Sequence, residues 1–185
     1  MRTRNLVGLL VIALSGLINP KVAAAQLPPE LRKEMWSAEW ITSPDAAQRD
    51  QSVLHLRKVV ELARRPQHFL VQVSADNQFI LYVNQQRVGL GPSRSDLGHW
   101  RYETYDLGPF LGSGKNVLAA VVWNFGVLTP LGQISDRTAF VLHGESEAER
   151  VADTDQTWEV EEEKGIRALP TPVEIRRHYY VAEPA

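Results

Sequence analysis

The sequence predicts an all-β domain, an antiparallel β-sandwich or jelly roll, preceded by a secretory signal peptide. Three observations carry that reading. Seven short segments between Ser52 and Glu163 alternate apolar and polar residues or run apolar, and turn residues separate them at intervals of about 8–12. No stretch in that span sustains a helical period, so the crossover helices that a parallel sheet needs are not encoded. The chain also opens on a basic "MRTRN", followed by an apolar run and a small-residue site.

The apolar run, Leu6 to Ile18, has 13 residues, and Ala23-x-Ala25 follows it. Spanning a bilayer takes roughly 20 apolar residues, so the run fits a signal peptide (residues 1–25) better than its alternative, a retained anchor. Cleavage after Ala25 leaves 160 residues, enough for one domain with a substantial core. Residues 26–51 form a leader broken by Pro28, Pro29 and Pro44. Its Trp36 and Trp40, four apart, suit either one helical face or a clip on the edge of a sandwich, with core packing as the default and sugar stacking as the rival.

The sandwich is expected over residues 52–163. In "SVLHLRKVVEL", Leu54, Leu56, Val60 and Leu62 share one face, and Lys58 interrupts it. "HFLVQVSA" turns Phe69, Val71 and Val73 inward, and "QFILYVN" does the same with Phe79, Leu81 and Val83. A hairpin turn at Asn84-Gln85 follows, and Gly91-Pro92 leads out of the hairpin. "RYETYDL", "NVLAAVVW", "TAFVLHG" and "TWEVEEE" complete the series. Residues 164–185, with three spaced prolines, read as an exit linker or a truncated continuation.

Composition excludes several functions. After cleavage the chain carries 17 basic against 22 acidic residues, a net charge near −5, which offers no electrostatic footprint for nucleic acid. It contains no cysteine, so export brings no disulfides and stability rests on burial. No G-x-S-x-G is present, and the five histidines lack zinc spacing. No cofactor is expected. Asp76-Asn77-Gln78 and Asp153/Asp155 offer oxygens suited to calcium, yet neither has the D-x-D-x-D-G density of a dedicated loop.

The densest chemistry lies in "GPSRSDLGHWRYETYDL", Gly91 to Leu107. Asp96, Glu103, Asp106 and Asp136 are numerous enough to supply a glycosidase pair, but spacing selects none of them. Arg94 and Asp96 are placed for a loop ion pair, and Trp100 for opening the next strand. Two readings stay open for this stretch: a polar network that locks a long loop onto the sandwich, or a carbohydrate surface. The second would use Asp76, Asn77, Arg94, Asp96, His99, Trp100, Trp123 and Asn124, with rings stacking on sugar and polar groups bonding its hydroxyls.

Between Val73 and Gly126 stand Ser74-Ala75-Asp76-Asn77, "LYVN", "GPSRSD", "HWRYETYDL" and "NVLAAVVWNFG". On these residues the sequence resembles the N-terminal domain of bacterial α-L-rhamnosidases. "WSAEWITSPD" before these residues and "RTAFVLHG" and "ADTDQTWEV" after them extend the resemblance from Trp36 to Ala185. It implies a galactose-binding-like sandwich that contacts rhamnoside-type carbohydrate, and the signal peptide adds a secreted or periplasmic location. It also implies, as partner, an (α/α)₆ barrel bearing the catalytic carboxylates, in the same or a neighbouring chain. By that logic this chain is a non-catalytic domain or fragment, without nucleic acid and without membrane once the signal is cleaved. A freestanding interaction or adhesion module and a compact glycosidase are the rivals. One departure stands out: the family's Asn-Gly turn is Asn84-Gln85 here. A two-residue turn of type I′ needs positive φ at both positions, so a longer or strained turn is expected.

Overall fold

The computed structural model describes residues 36–46, 49–126, 129, 133 and 135–166. The signal peptide, the first part of the leader and nearly all of 164–185 lie outside the described residues. Among those described there are eight strands and only short 3₁₀ turns, one at Gly108–Phe110 and one at Arg150–Ala152. The strands are β1 (Ser52–Leu62), β2 (Leu70–Asp76), β3 (Gln78–Val83), β4 (Gln86–Gly91), β5 (Glu103–Asp106), β6 (Gly114–Asn124), β7 (Ala139–Gly144) and β8 (Glu159–Glu162). A five-stranded sheet in the order β4-β3-β6-β1-β8 faces a three-stranded sheet in the order β5-β2-β7. Every strand pairing is antiparallel, so the chain is a β-sandwich.

The backbone of the larger sheet is the β1–β6 pair, in register from Ser52↔Asn124 to Leu62↔Gly114. Alternation sends Leu54, Leu56 and Val60 inward from β1, and Leu118, Ala120 and Val122 from β6. From β3, Phe79, Leu81 and Val83 are fully buried, as expected. They meet Val71, Val73 and Ala75 of β2 and Phe140 and Leu142 of β7. Phe79 contacts Phe140 edge-on at 6.0 Å, and Phe140 contacts Trp158 at 5.7 Å, so aromatic rings tie the two sheets together.

Lys58 keeps its place on the inward face, only 9% exposed. Its ammonium donates to the Asp153 carbonyl at 2.8 Å and pairs with Asp155 at 3.3 Å, which is how a cation is tolerated at that position. β4 lacks alternation of its own, and the hairpin turn is the sole sequence sign of it. Its glycines leave room for β5: a Cβ on Gly89 would sit 2.3 Å from the Tyr105 ring, and one on Gly91 2.6 Å from Glu103.

The hairpin turn is not lengthened. Val83 pairs directly with Gln86, and Asn84 and Gln85 take φ of 50° and 69°. The strained alternative is therefore the one realised, with Gln85 in the left-handed region. Asn84 is fixed there by bonds from its Nδ2 to the Phe110 carbonyl and Asn116, both 2.9 Å, while its Oδ1 accepts from Val117 N–H.

The leader forms no helix over residues 36–46. It runs extended along β7: Ile41 and Phe140 exchange two backbone bonds of 2.9 Å, and Glu39 N–H donates to the Thr154 carbonyl. Trp36 stacks on His143 at 5.1 Å and meets Tyr102 edge-on. The clip on the edge of the sandwich is thus the observed arrangement.

Candidate functional site

Asp76, at the end of β2, is only 2% exposed, and the next peptide, Asp76–Asn77, is cis. Its Oδ2 accepts the backbone N–H groups of Asp136 and Arg137 at 2.6 and 2.8 Å, and its Oδ1 accepts Asn77 Nδ2 at 2.8 Å. Burial nevertheless pushes the carboxyl above the usual aspartate range, opposed by the bonds from Arg137, Ser135 and Asp136.

Asn77 and Asn124 continue the same scaffold. Asn77 Oδ1 accepts Phe125 N–H, and Asn124 Oδ1 accepts Gly126 N–H. Asn124 Nδ2 donates to Ser135 and Thr138. These side chains are buried, and their amides hold the two ends of the connection from β6 to β7. The connection in turn delivers Asp136 and Arg137 to a cleft of about 690 Å³, which Trp40, Asp76, Leu97, Trp100 and Ala139 also line.

Two tryptophans shape this cleft. Trp40, 48% exposed, meets Trp100 at 6.0 Å with the rings at 90°. Trp100 is half-buried: its indole N–H donates to Ser74 Oγ at 3.0 Å, and Ser74 Oγ donates to the Arg101 carbonyl at 2.6 Å. The bond fixes the plane of the ring while one side of it lines the cleft. Trp100 precedes β5 instead of opening it, because the strand pairing with β2 begins only at Glu103.

Arg49, from the leader, reaches over the rim. Its Nε donates to the Asp136 carbonyl at 2.9 Å, and its guanidinium pairs with the Asp136 carboxylate at 3.3 Å. Leu97, 59% exposed, also walls the cleft, at the tip of a turn closed by Asp96 and His99. Asp96 accepts from Gly98 N–H at 2.8 Å and lies 2.9 Å from His99 Nδ1. The partner of Asp96 is therefore His99 and not Arg94, and the bonds from His99 and Gly98 lower its carboxyl pKa. Arg94 is exposed in the same loop.

Of the residues the sequence put forward, Asp76 and Trp100 line the cleft, and Asp96 and His99 support its wall. Asn77 and Asn124 lie beneath it. Trp123, the neighbour of inward-facing Val122, points to the outer face of the larger sheet, beside Phe125. Trp40, Leu97, Arg137 and Ala139 were not singled out as ligand contacts, apart from stacking by Trp40. Glu103, counted among the acids, accepts Ser93 N–H and Oγ. Asp106 accepts Phe69 and Gly108 N–H and lies 2.7 Å from His68 Nδ1.

The oxygens considered for calcium serve the fold. Asp153 accepts Gly144 N–H and Ser37 Oγ, and Asp155 holds Lys58 and Thr157. Among the described residues no group of three or more His, Asp or Glu is arranged to hold a metal ion. No described helix is long and apolar enough to cross a membrane.

The fold matches part of a GH78 family rhamnosidase of Bacillus sp. GL1, with 28% identity and a TM-score of 0.66 over 73% of this chain and 14% of that one. An α-L-rhamnosidase from Dictyoglumus thermophilum shares the fold at 22% identity and a TM-score of 0.52, over 68% of this chain and 16% of that one. No family model and no curated protein matches the sequence. The resemblance read from Val73 to Gly126 is borne out, and it extends to a small part of the rhamnosidases' length.

Proposed function

We propose that this chain is a non-catalytic accessory domain that binds rhamnose-containing glycans for a secreted α-L-rhamnosidase-like enzyme. The cleft carries the proposal: two perpendicular tryptophans stand beside an acid, a guanidinium and an apolar wall, on a fold shared with part of a rhamnosidase. One indole face can lie under a sugar ring while the other closes its side. Asp136 and Arg137 can bond hydroxyls, and Leu97 and Ala139 suit the methyl group of a 6-deoxy sugar. Asp76, Asn77 and Asn124 act from beneath by holding the loop. Arg94, Asp96 and His99 belong to the rim. A catalytic barrel, in the same or a neighbouring chain, is the proposed partner, and export by the N-terminal segment is the proposed route.

The compact-glycosidase rival draws on one observation, a carboxyl of raised pKa beside a second acid, the pattern of an acid–base pair. The geometry argues against it. Both oxygens of Asp76 already accept N–H groups of the loop and of Asn77, so the carboxyl is committed to holding the cleft's frame. Titration calorimetry with L-rhamnose, taken to tens of millimolar for a weak surface site, separates the readings. Heat of binding that is lost in Trp40→Ala, without hydrolysis of an aryl α-L-rhamnoside, supports the accessory domain. Turnover that disappears in Asp76→Asn would establish the enzyme instead.

A further inference from the structure

The charges around the cleft do not all cancel in the same way. Asp136 is engaged by Arg49. Asp76 is buried and spends its oxygens on backbone and amide N–H groups. Asp96, behind the Leu97 wall, faces His99. The guanidinium of Arg137 is exposed, and among the described residues no hydrogen bond or ion pair engages it. Its backbone is nonetheless anchored, because its N–H is one of the two that Asp76 accepts. The side chain therefore projects from a fixed root beside two indole rings, with small Ala139 two residues further on.

A neutral sugar stacked between tryptophans has no need of an uncompensated cation. A planar guanidinium with a free fork matches a carboxylate, which it binds through two parallel N–H···O bonds. We propose that Arg137 makes this cleft a site for acidic glycans, in which it clamps the carboxylate of a hexuronate while Trp40 and Trp100 hold the neighbouring neutral sugar. The inference rests on the carbohydrate reading above and adds the class of the second sugar. Arg49 strengthens it by neutralising Asp136, the acid that would otherwise repel a uronate.

The test compares two oligosaccharides by calorimetry on the purified chain. One alternates a 6-deoxyhexose with a hexuronate, and the other is its carboxyl-reduced twin with identical linkages. The acidic form should bind about three- to fivefold more tightly at low salt, as for a solvent-facing charged pair. The difference should close near 0.5 M salt, where screening extends only a few Å. Arg137→Gln should bring the two affinities within twofold of each other, and Asp136→Asn should widen the gap. Equal affinities in the wild type would overturn the uronate assignment while leaving the carbohydrate reading intact. A gap that persists in Arg137→Gln would overturn the role of Arg137. Binding of neither oligosaccharide at tens of millimolar would remove the carbohydrate reading itself.

Discussion

Replacing Asp76 with alanine removes the acceptor that fixes the loop carrying Asp136 and Arg137. Asp136 N–H, Arg137 N–H and Asn77 Nδ2 lose their acceptor, and so does the Ser135 side chain. A hydrogen bond to a charged acceptor contributes about 1.5–3 kcal/mol. Two effects reduce the sum: burial disfavours the ionised carboxylate, and water can reach the Asp136 and Arg137 amides once the loop loosens. A net loss of about 2–4 kcal/mol is expected, or a fall in Tm of roughly 10 °C for a domain of this size. Asp76→Asn should cost less, since its oxygen can still serve both amides. Its NH₂ then opposes Asn77 Nδ2, and Asn77 cannot flip without breaking its bond from Phe125 N–H. The pH dependence has a definite sign. A carboxyl whose folded pKa is raised gives its full contribution below the unfolded value of about 3.9 and loses it as pH rises through the folded pKa. The advantage of wild type over Asp76→Asn should therefore shrink from about pH 4 upward. Thermal melts followed by circular dichroism at several pH values measure both effects. A loss below about 0.5 kcal/mol for Asp76→Ala would refute the claim that this side chain anchors the loop.

Other predictions follow from the turn, the acids and the N-terminus. Gln85→Gly relieves a residue at φ 69° and should stabilise the chain by about 1 kcal/mol in urea unfolding, whereas an unchanged midpoint would show no strain there. Asp106 has its carboxyl pKa lowered by His68 and by the Phe69 and Gly108 amides, so its contribution is complete above about pH 4 and fades as pH falls below that. Asp106→Asn should flatten the acid limb of the stability profile, and an unaltered limb would exclude that role. Mass spectrometry of exported protein should place Gln26 at the N-terminus, and an intact Met1 there would refute signal cleavage.

Most of the fold was legible because burial follows period two: Leu54, Leu56, Val71, Val73, Phe79, Leu81 and Val83 are inside as alternation requires. Lys58 broke the pattern without leaving the face, since its partners, Asp153 and Asp155, lie some hundred residues away in sequence. The cleft was legible only in part. Trp100 and Asp76 carry recognisable chemistry in their local sequence. Trp40 and Arg137 become cleft residues only when the leader clips onto β7 and Asp76 seizes the loop, neither of which has a periodic signal. Asn77 and Asn124 look like ligand contacts in sequence, because nothing local reveals that their amides turn toward backbone N–H groups.

The central claim, that carbohydrate enters between Trp40 and Trp100, is tested most directly by the indole N–H signals of the five tryptophans in a ¹⁵N-labelled chain. During a titration with L-rhamnose to tens of millimolar, the Trp40 and Trp100 signals should move together along one saturating curve. Those of Trp123, on the outer face, and Trp158, in the core, should stay in place. Five stationary signals, or movement confined to Trp123, would contradict the account.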